Sequence, residues 1–309
     1  MPPNQPPLEL DVIVTTLSSD KIRVALLGCG MMGQEHISYI SGYPNLRIDY
    51  LCDPHEPSLS KAVKVLQDFD ADTIDHLPIL LDDPSDLLQR AHEIDLLVIC
   101  SPNYLHTDTL VQWIDKNVTI LVEKPVAVSE EQLNTLRELQ QTHPDARIWV
   151  AMEYRYIPAI AKLLQHLPEI GDIKLVTIRE NRYPFLHKIG KWNRDKTKTG
   201  DTLVEKCCHF WDLFRLITGQ ETEGSKMRSI VQRGLNYGEE EQLHEVPIID
   251  AAYVILPFAK EQETGADPVN MKIKTTTQTL GCLELCMYAE GSRHQEEVIV
   301  TGTKVRGVD

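Results

Sequence analysis

Apolar and polar positions set up two different rhythms along the chain. From Lys21 onward, short apolar runs alternate with stretches at helical spacing. Ile22–Leu27 is an apolar run that ends at Gly28, and helix-like material follows to Ser41. Leu46–Cys52 reads as a second strand, and Ser58–Asp70 as a helix with Leu59, Ala62, Val63 and Leu66 on one face. Pro84-Ser85-Asp86 opens another helix, with a capping residue ahead of Leu87 and Leu88. Ile94–Cys100 has no polar alternation after Asp95, the pattern of a strand buried on both faces. Tyr104–Lys116 predicts a helix, Val118–Val122 a strand, Ser129–Thr142 a helix and Ile148–Met152 a strand. Repeated strand–helix alternation predicts a parallel sheet covered on both sides.

After about Glu153 the rhythm changes. Ile157–Leu167 predicts a helix and Ile173–Asn181 a strand; a polar, basic stretch from His187 to Lys198 then leads to Gly200 and one long helix, Thr202–Thr218. Strand-like runs follow in succession: Met227–Val231, Ala251–Pro257, Met271–Thr277, Leu283–Tyr288 and Glu297–Val300. Strands without intervening helices predict an antiparallel or mixed sheet. The chain therefore divides into a leader over 1–20, a first domain over 21–151 and a second over 152–309.

Composition narrows the function. With 31 Lys and Arg against 46 Asp and Glu, the formal charge is −15, which argues against a nucleic-acid partner. No apolar run reaches the roughly 18–20 residues that span a bilayer. The seven cysteines follow no regular spacing, so a reducing, cytoplasmic setting is expected rather than a disulfide framework. Met1–Asp20 holds four prolines and no Lys or Arg, unlike a signal or transit peptide.

The chemistry begins at Gly28-Cys29-Gly30-Met31-Met32-Gly33, a G-x-G-x-x-G string between a predicted strand and a predicted helix. Asp53 closes the next strand twenty residues after Gly33. That context is the one a dinucleotide-binding turn requires. Gly28 permits the tight turn, Gly30 lets a pyrophosphate approach the backbone, and Gly33 lets helix and strand pack closely. The free N–H groups and positive end of the helix then receive the phosphates. An Asp53 carboxylate accepts both ribose hydroxyls and repels a 2′-phosphate, which favours NAD; His55 beside it keeps NADP as the alternative.

Further motifs give the chain a family resemblance. Ser101-Pro102-Asn103-Tyr104-Leu105-His106 follows the fourth strand, Glu123-Lys124-Pro125 the fifth, and Arg155-Tyr156-Ile157-Pro158 opens the second half. Trp192, Gly200, Leu203, Glu205, His209, Asp212 and Gly219 then come in one ordered series. From Lys21 to about Gly302 the chain resembles the glucose–fructose oxidoreductase, inositol dehydrogenase and rhizopine-catabolism (Gfo/Idh/MocA) family. The resemblance implies an α/β protein: an N-terminal Rossmann domain with a doubly wound parallel sheet, and a C-terminal α/β domain whose largely antiparallel open sheet forms a dimer or tetramer interface. It implies NAD(P)-dependent oxidation or reduction of a secondary alcohol or carbonyl on a sugar, cyclitol or related polyol. The cofactor contacts would come from Gly28–Gly33, Asp53, Ser101, Pro102, Asn103, His106, Glu123 and Lys124, and the substrate contacts from Arg155, Trp192, Glu205 and His209.

In that reading neutral His209 takes the hydroxyl proton as hydride passes to the nicotinamide, and an ordinary histidine pKa near 6.5 suits a general base. Lys124 steadies the developing alkoxide. Glu205, at i, i−4 from His209, holds a neighbouring hydroxyl or orients the imidazole. Asp212 is expected to cap or pair structurally, Arg155 to form a salt bridge, and Lys206 to point into solvent. Two departures from the family pattern sit beside the substrate: Glu205 replaces the usual Asp, and Gly200-Asp201 replaces Gly-Gly.

No metal site is expected, because Cys207-Cys208-His209 cannot converge on one ion and Cys282 with Cys286 lacks two further ligands; both cysteines read as core residues. The basic stretch of Lys188, Lys191, Arg194, Lys196 and Lys198 reads first as a solvated loop, with attraction of an anionic cofactor or substrate carboxylate as the sharper alternative. Two rival functions stand beside the dehydrogenase: a glycosidase using bound NAD for transient oxidation, and a non-catalytic cofactor-binding paralogue. After Thr301-Gly302-Thr303-Lys304 the sequence departs from the family pattern, which predicts a shortened second domain with an incompletely covered sheet edge.

Overall fold

The computed structural model describes residues 21–69, 77–185, 188–222, 226–233, 248–259, 278–289 and 291–304. The leader, His187, the predicted strand Met271–Thr277 and the departure after Lys304 lie outside the described residues. The chain divides into two compact units, one reaching Val126 and resuming over Glu131–Ala151, the other made of Ala127–Glu130 and the chain from Met152.

The first unit is a six-stranded, all-parallel sheet in the order β3-β2-β1-β4-β5-β6. Its strands are β1 (Ile22–Leu27), β2 (Leu46–Cys52), β3 (Ile79–Leu81), β4 (Leu96–Ile99), β5 (Thr119–Val122) and β6 (Ile148–Val150). Helices α1 (Met31–Ser41), α2 (Glu56–Phe69), α3 (Pro84–Gln89), α4 (His106–Trp113) and α5 (Glu130–Thr142) make the crossovers. The central strands are apolar throughout because both faces are covered. Val24, Leu26, Leu51 and Val98 pack with Ile37, Ile40 and Leu59 on one side, whereas Ala25, Leu27, Leu97 and Ile99 pack with Leu110 and Trp113 on the other. Asp83 caps α3, its carboxylate accepting the Ser85 N–H at 2.8 Å. The strand order reverses between β1 and β4, the switch point at which open α/β sheets receive ligands. β3, three residues long at the sheet edge, carries no pattern from which sequence could have announced it.

The second unit is a five-stranded sheet, β11-β7-β10-β9-β8, antiparallel except for the β7–β10 pair. It comprises β7 (Ile173–Asn181), β8 (Arg228–Arg233), β9 (Ile249–Ala259), β10 (Gln278–Cys286) and β11 (Glu296–Gly302). Helices α6 (Pro158–His166), α7 (Lys196–Thr199), α8 (Thr202–Glu205) and α9 (Cys208–Thr218) complete it. Period-two alternation turns Val176, Ile178, Val254, Leu256, Leu283 and Leu285 toward Phe210, Leu213, Phe214 and Ile217 of α9. β10 can lie this close to α9 because Gly281 has no side chain: a Cβ there would fall 2.9 Å from the Phe258 ring and 3.0 Å from that of Phe214.

Four expectations need correction. The long helix Thr202–Thr218 is broken at Lys206-Cys207, where the Cys207 N–H bonds to Thr202 O, five residues back, at 3.2 Å. That added residue in the turn brings Lys206 inward, so it is buried rather than solvated. Cys282 and Cys286 are half-exposed on the open sheet face with Glu284, not in the core, because Leu283 and Leu285 take the inward positions of the same strand. The basic stretch is not a plain loop either. It forms a 3-10 helix over Ile189–Arg194 and then α7, with Arg194 donating to Phe185 O at 2.6 Å and Lys198 paired with Asp195 at 3.5 Å.

Candidate active site

In the first unit the glycine string forms the turn from β1 into α1. Gly28 has φ +100°, a conformation that L side chains rarely adopt, and a Cβ there would meet the Cys100 carbonyl carbon and Ser101 nitrogen at 2.5 Å. A Cβ on Gly33 would collide with the Gly28 carbonyl oxygen, so helix and strand touch through this residue. Gly30 is different, since nothing lies within 4 Å of its Cβ position. It is also the N-cap of α1 without a side-chain cap, which leaves helix N–H groups facing outward. Met31 is exposed, Met32 half-buried and Cys29 buried.

Asp53 ends β2 with its carboxylate fixed by two backbone donors, Cys29 N–H at 2.7 Å and His55 N–H at 2.8 Å. The glycine turn and the acidic residue are thus one hydrogen-bonded piece. Ser101 and Pro102 are half-buried and Asn103 is buried just beyond β4. The Ser101 hydroxyl oxygen is buried with no hydrogen-bond partner.

His106 is fully buried, with Nδ1 2.9 Å from Pro125 O and Nε2 2.9 Å from Ser101 O. Its two ring nitrogens thus face a carbonyl from each of the two strand-end loops. Glu123 is buried too, accepting from His36 Nε2 at 2.7 Å and from the Lys124 N–H at 3.2 Å. Burial opposes its ionisation, but the His36 bond and charge, with Lys124, outweigh burial and hold it below the usual carboxylate range. Lys124 itself is half-buried. Sequence reading missed His36; the available signal was a polar residue one turn after Gly33, on the face of α1 that also buries Ile37 and Ile40.

The second unit carries the other set. Asp201 precedes α8 at φ +78° and ψ 171°, a region that costs a non-glycine residue about 1–3 kcal/mol. Three partners hold it there: its Oδ1 accepts the N–H groups of Thr202 at 2.8 Å and Ile249 at 2.7 Å, and its Oδ2 pairs with Arg233 at 2.6 Å. α8 is thereby pinned to β9, and Glu205 at its end is 4% exposed. Lys188 Nζ lies 4.0 Å from Glu205 and 4.6 Å over the half-buried Trp192 ring, which links the basic stretch to this carboxylate. His209, one residue into α9, is 2% exposed. Its ring stacks on Tyr154 with centroids 4.4 Å apart, and its Nε2 is 3.8 Å from Glu153 Oε1. Trp211 bridges the helix break by donating to Leu203 O at 2.7 Å. Arg155 and Asp212 form a two-pronged salt bridge, with Nε 2.5 Å from Oδ2, that ties the segment before α6 to α9. Sequence reading did not single out Glu153, Tyr154, Glu180 or Glu296 around this helix.

Residues 22–152 match the oxidoreductase family described by its NAD-binding Rossmann fold, and residues 167–308 match the C-terminal α/β domain of the same family. The chain belongs to the Gfo/Idh/MocA family. Inositol 2-dehydrogenase of Rhizobium meliloti (strain 1021) is 25% identical over 203 residues, covering 65% of this chain and 56% of that protein. D-glucoside 3-dehydrogenase of Escherichia coli (strain K12) is 24% identical over 212 residues, covering 66% and 56%. The matched stretches span little more than half of these curated relatives. Among solved structures, the oxidoreductase domain protein from Kribbella flavida aligns with a TM-score of 0.72 at 20% identity, over 92% of this chain and 72% of that one. Scyllo-inositol dehydrogenase from Lactobacillus casei, with bound NAD(H) and scyllo-inositol, aligns with a TM-score of 0.69 at 18% identity, over 93% and 75%.

The residues of this Gfo/Idh/MocA chain fit the cofactor its family binds. The space beside Gly30, the uncapped α1 terminus, the fixed Asp53 carboxylate and the orphaned Ser101 hydroxyl all belong to the strand-end side of the first sheet.

Proposed function

We propose that this chain is an oxidoreductase that uses NAD to oxidise, or NADH to form, a secondary alcohol on a sugar, cyclitol or related polyol. The observation that carries the reading is the burial of a carboxyl and an imidazole side chain, Glu205 and His209, beside an apolar layer that includes Phe210, Leu213, Phe214 and Ile217. Pure packing gives no reason for either. Bound nicotinamide supplies the hydride acceptor. His209 takes the hydroxyl proton at an imidazole nitrogen, and Lys124 donates a hydrogen bond to the oxygen that becomes negative. Glu205 accepts from a neighbouring hydroxyl and so favours a polyol over a simple alcohol, while Lys188 offsets its charge. Asp53 receives the ribose hydroxyls and disfavours a 2′-phosphate, so NAD is the cofactor rather than NADP.

Among the described residues no helix is long and apolar enough to cross a membrane, and all seven cysteines are free thiols, which suits work in the cytoplasm. The open face of the second sheet receives a second copy of the chain.

The test is a panel of cyclitols, sugars and sugar acids offered with NAD and with NADP, followed by reduced-nicotinamide absorbance. Turnover of a polyol with NAD is the expected result. Glycoside cleavage without net NADH would replace the reading with a transient-oxidation glycosidase. NAD binding with no turnover across the panel would make the chain a non-catalytic paralogue.

A further inference from the structure

A cluster of charged side chains lies behind His209 that the reading above does not use. Period-two alternation puts Glu180 of β7 on the same face as Val176 and Ile178, where the strand would otherwise bury an apolar residue, and Glu180 is 1% exposed. Lys206, turned inward by the break between α8 and α9, brings Nζ to 3.1 Å from Glu180 Oε1 and 3.5 Å from Glu296 Oε1 of β11. Arg182 approaches the same Glu180 oxygen at 3.5 Å, and Glu180 Oε2 is buried with no hydrogen bond. Buried charges survive only when paired, so this group stands or falls together.

The cluster reaches His209 through one residue. Lys206 donates to the Tyr154 hydroxyl at 2.6 Å, and that hydroxyl donates to Glu296. The Tyr154 ring lies over the His209 imidazole with an angle of 13° between the planes. A ring fixed at its hydroxyl end by an ammonium and a carboxylate cannot tilt without breaking both bonds, and the imidazole stacked on it shares that constraint.

Resting on the reading of His209 as the proton acceptor, we propose that Tyr154 is a positioning residue that sets the plane of the His209 imidazole, and that the Lys206–Glu180–Glu296 cluster behind it adjusts the proton affinity of His209. Burial pushes Glu180 up to about 7, against the pull of Lys206 and with the neighbouring Glu296 adding to the rise. Glu296 is held low despite its own burial, by the Tyr154 bond and by Lys206. The cluster therefore gains a negative charge as pH rises through neutrality. The charged groups facing Glu180 are Lys206, Arg182 and Glu296, while Glu153 Oε1 lies 3.8 Å from His209 Nε2, and Asp212, paired with Arg155, and Glu205 stand three and four residues from His209 along the chain. A unit charge two stacked groups away moves a pKa by about half a unit to one unit at an effective dielectric near 20.

The test follows the His209 imidazole by NMR titration in the full chain, alongside pH profiles of kcat. Glu180→Gln is expected to lower the His209 midpoint by about half a unit and to remove an inflection near pH 7. Tyr154→Phe keeps the stack but frees the ring; kcat should fall while KM for NAD stays constant. Tyr154→Leu removes the stack, and kcat should drop about tenfold or more. Lys206→Met strands Glu180, so Lys206→Met with Glu180→Gln is the folded control for loss of the cluster. An unmoved His209 midpoint together with an unchanged kcat profile in Glu180→Gln and Tyr154→Phe would overturn the proposal. If the midpoint moves but wild type oxidises no polyol, the proposed function fails while the coupling stands. If wild type turns over and the midpoint stays fixed, the reverse holds.

Discussion

At the scale of single residues, the three glycines of the dinucleotide turn separate folding from binding. Gly33 touches the Gly28 carbonyl, so Gly33→Ala must push α1 away from β1. Gly30 touches nothing, so Gly30→Ala should leave the melting temperature within a degree or two while cutting NAD affinity at least tenfold. Thermal melts with and without NAD distinguish the two, and a Gly30→Ala protein that binds NAD normally would move the phosphate site elsewhere. Replacing His209 with Ala should lower turnover by about 10²–10⁴, the share of a general base, with NAD affinity retained. Glu123 gives a pH test. Its folded pKa lies below the ordinary carboxylate value, so its stabilisation is present above that value and is lost as pH falls through the folded one. The stability gap between wild type and Glu123→Gln, about 1.5–3 kcal/mol at pH 7, should narrow in denaturant titrations as pH falls below the ordinary carboxylate range. A gap that stays constant as pH falls would mean that the carboxylate is not what His36 holds.

At the scale of elements, legibility followed burial. The central Rossmann strands stand out in sequence because both faces are covered and the apolar runs are unbroken, and the glycine turn stands out because its steric demands admit few residues. The α8–α9 break was not legible. Its residues Val204-Glu205-Lys206-Cys207 have ordinary helical propensity, and what opens the turn is tertiary: Asp201 anchors α8 to β9 while Lys206 is drawn toward Glu180. The cluster behind His209 was hidden for the same reason, since its members come from the segment before α6, β7, the helix break and β11, far apart in sequence. Position 281 tests the packing that forms this layer. Gly281→Ala adds a methyl between the Phe214 and Phe258 rings and should cost about 1–3 kcal/mol, read as a lowered urea midpoint at unchanged slope. Because that contact belongs to the second unit alone, NAD affinity should not follow. A variant as stable as wild type would mean that the two rings yield without strain.

At the scale of the whole molecule, the formal charge of −15 favours separate, soluble copies, yet one face of the second sheet works against that balance. Alternation that sends Val176, Ile178, Leu283 and Leu285 inward sends Leu175, Leu280, Tyr253 and Ile255 outward, and Ile230 joins them in register opposite Tyr253. All five are exposed in the single chain. Apolar positions adjacent across four strands make a contiguous patch, unlike scattered single exposures, and such patches mark association surfaces. Charge complementarity is available on the same face, where Arg179 is flanked by Glu284 at 3.0 Å and Glu297 at 2.7 Å. Two copies related by a two-fold axis would place this patch against itself, the self-complementary arrangement that closes at a dimer. Sedimentation of the full chain should therefore show a dimer or tetramer at micromolar concentration. Ile230→Asp with Tyr253→Glu, placing like charges across the interface, should yield monomers that melt as a folded protein and still bind NAD, because the first unit carries the cofactor residues. If wild type sediments as a monomer at tens of micromolar, the patch needs another partner and the second-copy assignment falls.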